Sequence, residues 1–216
     1  MLPALFPPHK AAIFDLDGTL LESMWVWQRV DLDFFAARGL RPPEDYAETI
    51  HSMTFREVAL YTVERFALPE SPEEVMREWN ERSLRFYRDE VKLKPGAREY
   101  LEALRAKRVK LAVATNLTTH MLETVLQSNG VFHLFDALSS ADEVSRGKRF
   151  PDIYLLTARK LGIAPCDCVA FDDVAAALLG IRAAGMTACA VLEPASRQDW
   201  DEMRRLAPYA VTGFAE

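Results

Sequence analysis

The chain has 216 residues, half of them hydrophobic, with a net charge of −6, enough for one packed core plus a modest insertion. No block of Lys or Arg interrupts that acidic balance, which argues against a nucleic-acid surface. Met1–Pro8 is apolar but broken by three prolines and has no charged leader, so it fits neither a signal peptide nor a membrane span.

Ala11-Ala12-Ile13-Phe14 is a short continuous apolar run that ends in turn chemistry, the pattern of a strand buried on both faces. Asp15-Leu16-Asp17-Gly18-Thr19-Leu20 follows it. Met24, Trp27, Val30, Phe34 and Ala37 then form a helical stripe, and Phe55, Val58, Ala59, Thr62 and Phe66 form a second. Gly39 and Pro42-Pro43 break the chain between them. Ser71-Pro72-Glu73-Glu74 opens a third helix with an N-cap candidate, a proline at the first position and acids in the first turn. It runs to about Val91.

From Lys94-Pro95-Gly96 the pattern alternates. A helix over 96–107 leads to a strand over 109–114. A helix from about Thr118 stops near Asn129-Gly130, and a short strand is predicted over 135–138. Helix 151–161, strand 168–171, helix 174–184 and strand 186–191 complete the series. Strands alternating with helices predict a parallel sheet with crossovers, interrupted by an all-helical insertion. The three cysteines, Cys166, Cys168 and Cys189, lack zinc-knuckle spacing and are expected as spectator thiols in a reducing, cytoplasmic setting.

In open parallel sheets ligands bind beyond the carboxyl ends of strands, and here those ends are polar: Asp15 and Asp17, Thr115 and Asn116, Asp172 and Asp173. Lys148 lies in the loop Gly147-Lys148-Arg149-Phe150-Pro151-Asp152. Side chains alternate along a strand, so Asp15 and Asp17 are expected on one side, where two like charges call for a cation or a shared proton. A carboxylate beside an anionic phosphate meets a repulsion of about 4 kcal/mol at ~4 Å and an effective dielectric near 20. Mg²⁺ on acidic oxygens plus one lysine offsets most of it. An EF-hand calcium loop counted from Asp15 would need Gly at Leu20 and Glu at Val26, and neither is present.

Asp15 to Leu20, Thr115, Lys148 and Phe171-Asp172-Asp173 resemble the four sequential motifs of the haloacid dehalogenase-like superfamily. The likeness is closest to its phosphatase and β-phosphoglucomutase-like branch, through Gly147 to Tyr154 and Ala183-Ala184-Gly185-Met186. It implies an α/β fold: a Rossmann-like parallel sheet core flanked by helices (1–21 and 94–216) with an inserted all-helical cap domain (22–93). Hinges are expected near Leu21-Glu22 and Lys92-Leu93-Lys94.

The resemblance also implies roles. Asp15 is the expected nucleophile and a magnesium ligand. Asp17 is the general acid and then base, with its backbone carbonyl on the metal. Thr115 bonds the phosphoryl group and Asn116 assists through its backbone N–H. Lys148 bridges nucleophile and phosphate, and Asp172 and Asp173 complete the metal shell, with Asp173 preferred for direct contact. Val174 and Ala177 depart from the usual Ser and Gly of the last motif, and a retuned metal site is expected from the lost hydroxyl and the stiffer turn. Trp27 stands where sugar phosphomutases of this branch carry His, which disfavours mutase chemistry. In the cap, Arg56 of Thr54-Phe55-Arg56-Glu57 is expected to clamp an anionic group of the substrate, and Trp25 and Trp27 are expected to pack within the cap. None of the four histidines is assigned as a ligand.

The expected activity is Mg²⁺-dependent hydrolysis of a small phosphorylated metabolite through an aspartyl-phosphate. A β-phosphoglucomutase-type sugar phosphomutase is the main alternative. A metal-free haloacid dehalogenase and a catalytically silent phospho-ligand binder are the others.

Overall fold

The first strand, β1 (Ala11–Phe14), occupies the middle of a parallel sheet between β2 (Lys110–Thr115) and β4 (Cys168–Asp172), with β3 (Ala137–Ser140) outside β2 and β5 (Thr187–Val191) and β6 (Tyr209–Val211) outside β4. The computed structural model describes residues 9–50, 53 and 55–215, with the side chains of 47 and 48 left aside. Met1–Pro8, His51 and Thr54 lie outside the described residues. The chain divides into two compact units, Met1–Met24 with Val91–Glu216, and Trp25–Glu90.

The second unit is helical: α1 (Val26–Ala37), α2 (Tyr46–Ile50), α3 (Phe55–Phe66) and α4 (Pro72–Asp89). In the first unit the sheet is joined by α5 (Ala97–Ala106), α6 (Thr119–Ser128), α7 (Asp152–Leu161), α8 (Ala175–Ala183) and α9 (Trp200–Leu206). The start of α4 follows its sequence signature. Ser71 Oγ accepts the Glu74 N–H at 3.3 Å while the Glu74 carboxylate accepts the Ser71 N–H at 2.8 Å, a reciprocal cap that satisfies two otherwise orphaned donors. Val75, Trp79, Ser83 and Phe86, spaced by three or four residues, form its buried stripe.

Small residues decide how the sheet packs. Ala112, Ala114, Ala170, Ala188 and Ala190 share one core with Ile13 and with Ile153, Tyr154, Leu178 and Ile181 of α7 and α8. Alternation turns Phe14 and Phe171 to the other face. There the two rings stack with centroids 4.6 Å apart, Tyr100 of α5 meets Phe14 edge-on at 6.2 Å, and Phe214 closes the cluster. Burying each such ring is worth about 1.5–3 kcal/mol, so the middle strands are fixed from both sides just before their carboxyl ends.

Two details differ from the sequence expectation. The third strand begins at Ala137 rather than 135, because Phe132–Leu134 closes a 3₁₀ turn and Asp136 is already committed. Its N–H bonds the Leu111 carbonyl at 2.7 Å and its carboxylate accepts the Leu111 N–H at 2.9 Å. Beyond β5 the chain also forms α9 and the three-residue β6, and α2 follows the Pro42-Pro43 break. None of the three carries an extended periodic pattern.

The segments expected as hinges are hydrogen-bonded to each other within the first unit. Glu22 N–H donates to Lys92 O at 2.9 Å, Lys94 N–H to Leu20 O at 2.8 Å, and Leu21 and Leu93 form an antiparallel bridge. Among the described residues no helix is long and apolar enough to cross a membrane.

Candidate active site

Register brings the acidic residues together. Phe14 lies opposite Val113 on one side and Phe171 on the other. One step further along these strands come Asp15 and Asp172, and the Asp15 N–H bonds the Phe171 carbonyl at 3.0 Å. Alternation sends both carboxylates to the α7 face, where the Tyr154 hydroxyl donates to Asp172 Oδ2 at 3.4 Å. Lys148 Nζ sits between them, 2.9 Å from Asp15 Oδ1 and in contact with Asp172 Oδ2. Asp15, Lys148, Asp172 and Asp173 are all buried.

The turn after β1 is wound tightly on itself, with the N–H groups of Leu20 and Leu21 both bonding Leu16 O at 2.9 Å. Gly18 has φ +67°, and a Cβ there would stand 2.2 Å from Asp173 Oδ2. Only glycine combines that backbone with that approach. Thr19 Oγ1 donates to Asp173 Oδ1 at 3.2 Å, and Ser196 Oγ donates to the Asp173 carbonyl at 3.1 Å. Lys94 Nζ, from the returning segment, donates to the Gly18 carbonyl and pairs with Glu193 beyond β5.

Carboxylate oxygens of Asp15, Asp172 and Asp173 lie within 4.8 Å of one another. Burial, then the charges of its neighbours, raises the Asp173 carboxyl above its ordinary range. Burial also raises Asp172, and Lys148 only partly offsets it. Burial alone would lower the Lys148 ammonium, but Asp15 and Asp172 outweigh it and hold the proton firmly. Three desolvated carboxylates facing one lysine leave negative charge uncompensated. This hard-oxygen donor set fits a divalent cation such as Mg²⁺.

That charge imbalance carries a pH signature. Asp172 and Asp173 bind protons more tightly folded than unfolded, so stability of the cation-free protein falls as pH rises above the ordinary carboxylate range. A divalent cation displaces those protons and restores the loss. Added Mg²⁺ is therefore expected to raise Tm more at ~pH 8 than at ~pH 5. An equal shift at both, or none, in a thermal-shift titration would count against a cation site.

Thr115 ends β2 buried, its Oγ1 accepting the Leu117 N–H at 3.3 Å, and the following Asn116 is exposed. The Asp17 carboxylate is not one of the three clustered ones, and its Oδ1 accepts the Ser23 hydroxyl at 2.5 Å. Arg56 is exposed on α3 and paired with Glu73 at 2.6 Å. Trp27, expected to pack within the cap, is 40 % exposed and lines a cavity of the helical unit, its ring 5.5 Å from that of Phe55. Val174 is half-exposed and supplies a backbone N–H to Asp172 Oδ1 at 3.1 Å. Ala177 lies buried within α8 without a left-handed backbone. The helix accommodates it.

Several supporting residues carried no sequence signal. Gly180 looks like a neutral helix position, yet a Cβ there would stand 2.0 Å from the Lys148 carbonyl. It lets the Lys148 loop lie directly on α8. Lys94, Glu193 and Ser196 reach the site from far along the chain, and only the fold brings them together.

A central parallel sheet whose middle strands end in a buried acidic triad beside a lysine defines a class of α/β hydrolases. Residues 9–185 match the haloacid dehalogenase-like hydrolase family, and the chain belongs to it. It is 31 % identical over 191 residues to hexitol phosphatase B of Escherichia coli K12, covering 88 % of this chain and 86 % of that protein. Among solved structures it resembles a variant of CbbY from Rhodobacter sphaeroides in complex with xylulose-1,5-bisphosphate, with a TM-score of 0.78, 26 % identity and 96 % of both chains covered. A HAD family hydrolase from Deinococcus radiodurans with bound phosphate and sodium gives a TM-score of 0.73 at 29 % identity, covering 96 % of this chain and 92 % of that one.

Proposed function

We propose that this protein is a Mg²⁺-dependent phosphatase acting on a small phosphorylated metabolite, with phosphorylated sugars and sugar alcohols first among candidates. One observation carries the reading: Lys148 lies between Asp15 and Asp172, with Asp173 in the same buried cluster. An Asp15 oxygen attacks phosphorus, the bond to the leaving oxygen breaks, and Asp17 gives that oxygen its proton. Asp17 then takes a proton from water as the water oxygen attacks the aspartyl-phosphate. The bond between phosphorus and Asp15 breaks, and inorganic phosphate leaves.

Lys148, Thr115 and the Asn116 backbone N–H hold the phosphoryl oxygens through both steps. Asp15, Asp172, Asp173 and the Asp17 backbone carbonyl would hold Mg²⁺, which supplies positive charge beside the phosphoryl group. The helical insertion (22–93) is proposed as a cap that sets specificity, with Arg56 exchanging Glu73 for an anionic group of the substrate. Relatives named for phosphatase activity, hexitol phosphatase B and a phosphorylated carbohydrates phosphatase of Thermotoga maritima, support hydrolysis over transfer to a second sugar hydroxyl, as does Trp27.

A phosphate-release screen over phosphorylated sugars, sugar alcohols and other small phosphomonoesters tests this. Release with Mg²⁺ that disappears on chelation is expected. Release that needs a bisphosphate activator and yields an isomeric sugar phosphate would make it a mutase. Dehalogenation surviving full chelation would overturn the metal mechanism. Absence of any release from protein that binds Mg²⁺ would leave a phospho-ligand binder.

A further inference from the structure

Lys94 and Glu193 form an ion pair within the first unit, their side chains only 12 and 13 % exposed. Neither belongs to the four motifs, and neither takes part in the chemistry proposed above. Holding two charges this far from water is costly unless further bonds fix them in place. Here those bonds lead toward the acidic cluster. Lys94 Nζ also donates to the Gly18 carbonyl, and the Lys94 backbone N–H bonds Leu20 O at 2.8 Å.

Gly18 adjoins two of the groups proposed to hold Mg²⁺. Its nitrogen shares a peptide plane with the Asp17 carbonyl, and a Cβ on it would stand 2.2 Å from Asp173 Oδ2. Thr19, next in the chain, donates to Asp173 Oδ1 at 3.2 Å. A second arm holds Asp173 by its backbone. Ser196 Oγ donates to the Asp173 carbonyl at 3.1 Å and lies 3.2 Å from the Glu193 carbonyl. That Glu193 carbonyl also accepts the Ser196 N–H and the Trp200 indole N–H, each at 3.0 Å. Glu193 therefore anchors both arms, its carboxylate through Lys94 to Gly18 and its carbonyl through Ser196 to Asp173.

We propose that Lys94 and Glu193 are positioning residues that set the affinity of the acidic site for Mg²⁺ by fixing Gly18 against Asp173. This rests on the Mg²⁺ reading above. Groups that orient metal ligands from outside the coordination sphere typically govern 10–100-fold in affinity. The field of Lys94 acts in the opposite direction to its contacts. It places positive charge beside a cation site, so its loss would tighten Mg²⁺ if charge alone mattered. Loss of the contacts loosens the ligands and weakens Mg²⁺.

Calorimetric binding of Mg²⁺ to the intact chain and to three variants separates the two by sign. Lys94→Met is expected to weaken Mg²⁺ about tenfold. Lys94→Met combined with Glu193→Ala should bind as weakly as Lys94→Met alone, because both substitutions break one contact. Lys94→Arg keeps a cationic donor and should recover most of the affinity. Tighter or unchanged binding by Lys94→Met would overturn the proposal, and so would a double variant restored to the parent's affinity.

Should Lys94→Met not fold, Glu193→Ala decides through metal selectivity. Mg²⁺ and Ca²⁺ carry the same charge, so a change of field weakens both alike. Mg²⁺ demands near-ideal octahedral geometry while Ca²⁺ tolerates displaced oxygens, so loosened ligands should cost Mg²⁺ several-fold more than Ca²⁺. Equal losses for the two ions would refute positioning. A parent chain that binds no Mg²⁺ ends the Mg²⁺ reading and this proposal together, whereas variants that bind like the parent end the proposal alone. If no phosphomonoester is hydrolysed, calorimetry still decides the pair.

Discussion

Asp15→Asn is expected to lower phosphate release by ~10⁴-fold or more while leaving the fold intact. The amide keeps the shape of the carboxylate but has no oxygen able to form the acyl-phosphate. Structural collateral should be small. Lys148 loses its 2.9 Å contact with Asp15 but keeps Asp172, and Asp172 and Asp173 lose a like charge that raises both. Tm in the absence of metal should therefore stay level or rise. Turnover matching the parent would dismiss Asp15 as nucleophile, and a large fall in Tm would show that its role is structural.

Lys148→Met is expected to cost both turnover and stability. The ammonium is the cation between two carboxylates that are 1 and 9 % exposed at the side chain. Removing one partner of a buried pair leaves uncompensated charge and costs about 3–5 kcal/mol, which is roughly 10 °C in Tm for a chain of this size. Two controls distinguish this from simple loss of packing. Mg²⁺ should recover part of the Tm, because it supplies the missing charge. Asp15→Asn combined with Lys148→Met should be more stable than Lys148→Met alone, since one of the stranded carboxylates is then gone. A double variant no better than the single one would refute the electrostatic account.

The parallel core and its acidic strand ends were legible because their signals are local. An apolar run ending in Asp15, or in Asp172-Asp173, states both the strand and the polar group at its end, and the order of strands and helices implies the crossovers. The C-terminal edge was not legible. Tyr209–Val211 is three residues long and Trp200–Leu206 seven, too short for either period to emerge. The surroundings of the site were hidden for a different reason. Gly180 matters because another segment's carbonyl rests on it, and Ser196 because its hydroxyl meets a backbone oxygen 23 positions away. Such pairings are properties of tertiary structure. Arg56 shows the converse, where a residue singled out by motif lies exposed against Glu73.

The contacts around Gly18 also bear on the order in which the protein matures. Its carbonyl is held by Lys94, Lys94 is held by Glu193, and the neighbouring Thr19 and Asp173 are bonded, with Ser196 on the Asp173 carbonyl. Contacts this distant in sequence form late, after the loop-closure cost of the intervening chain has been met. During synthesis, which proceeds from the N-terminus, the aspartate loop emerges before Glu193 and Ser196 and stays without those clamps until they have been added. A nascent chain truncated before that point should carry the aspartates and yet lack the contacts that hold Gly18 and Asp173 in place. A loop synthesised ahead of its clamps is set only after them.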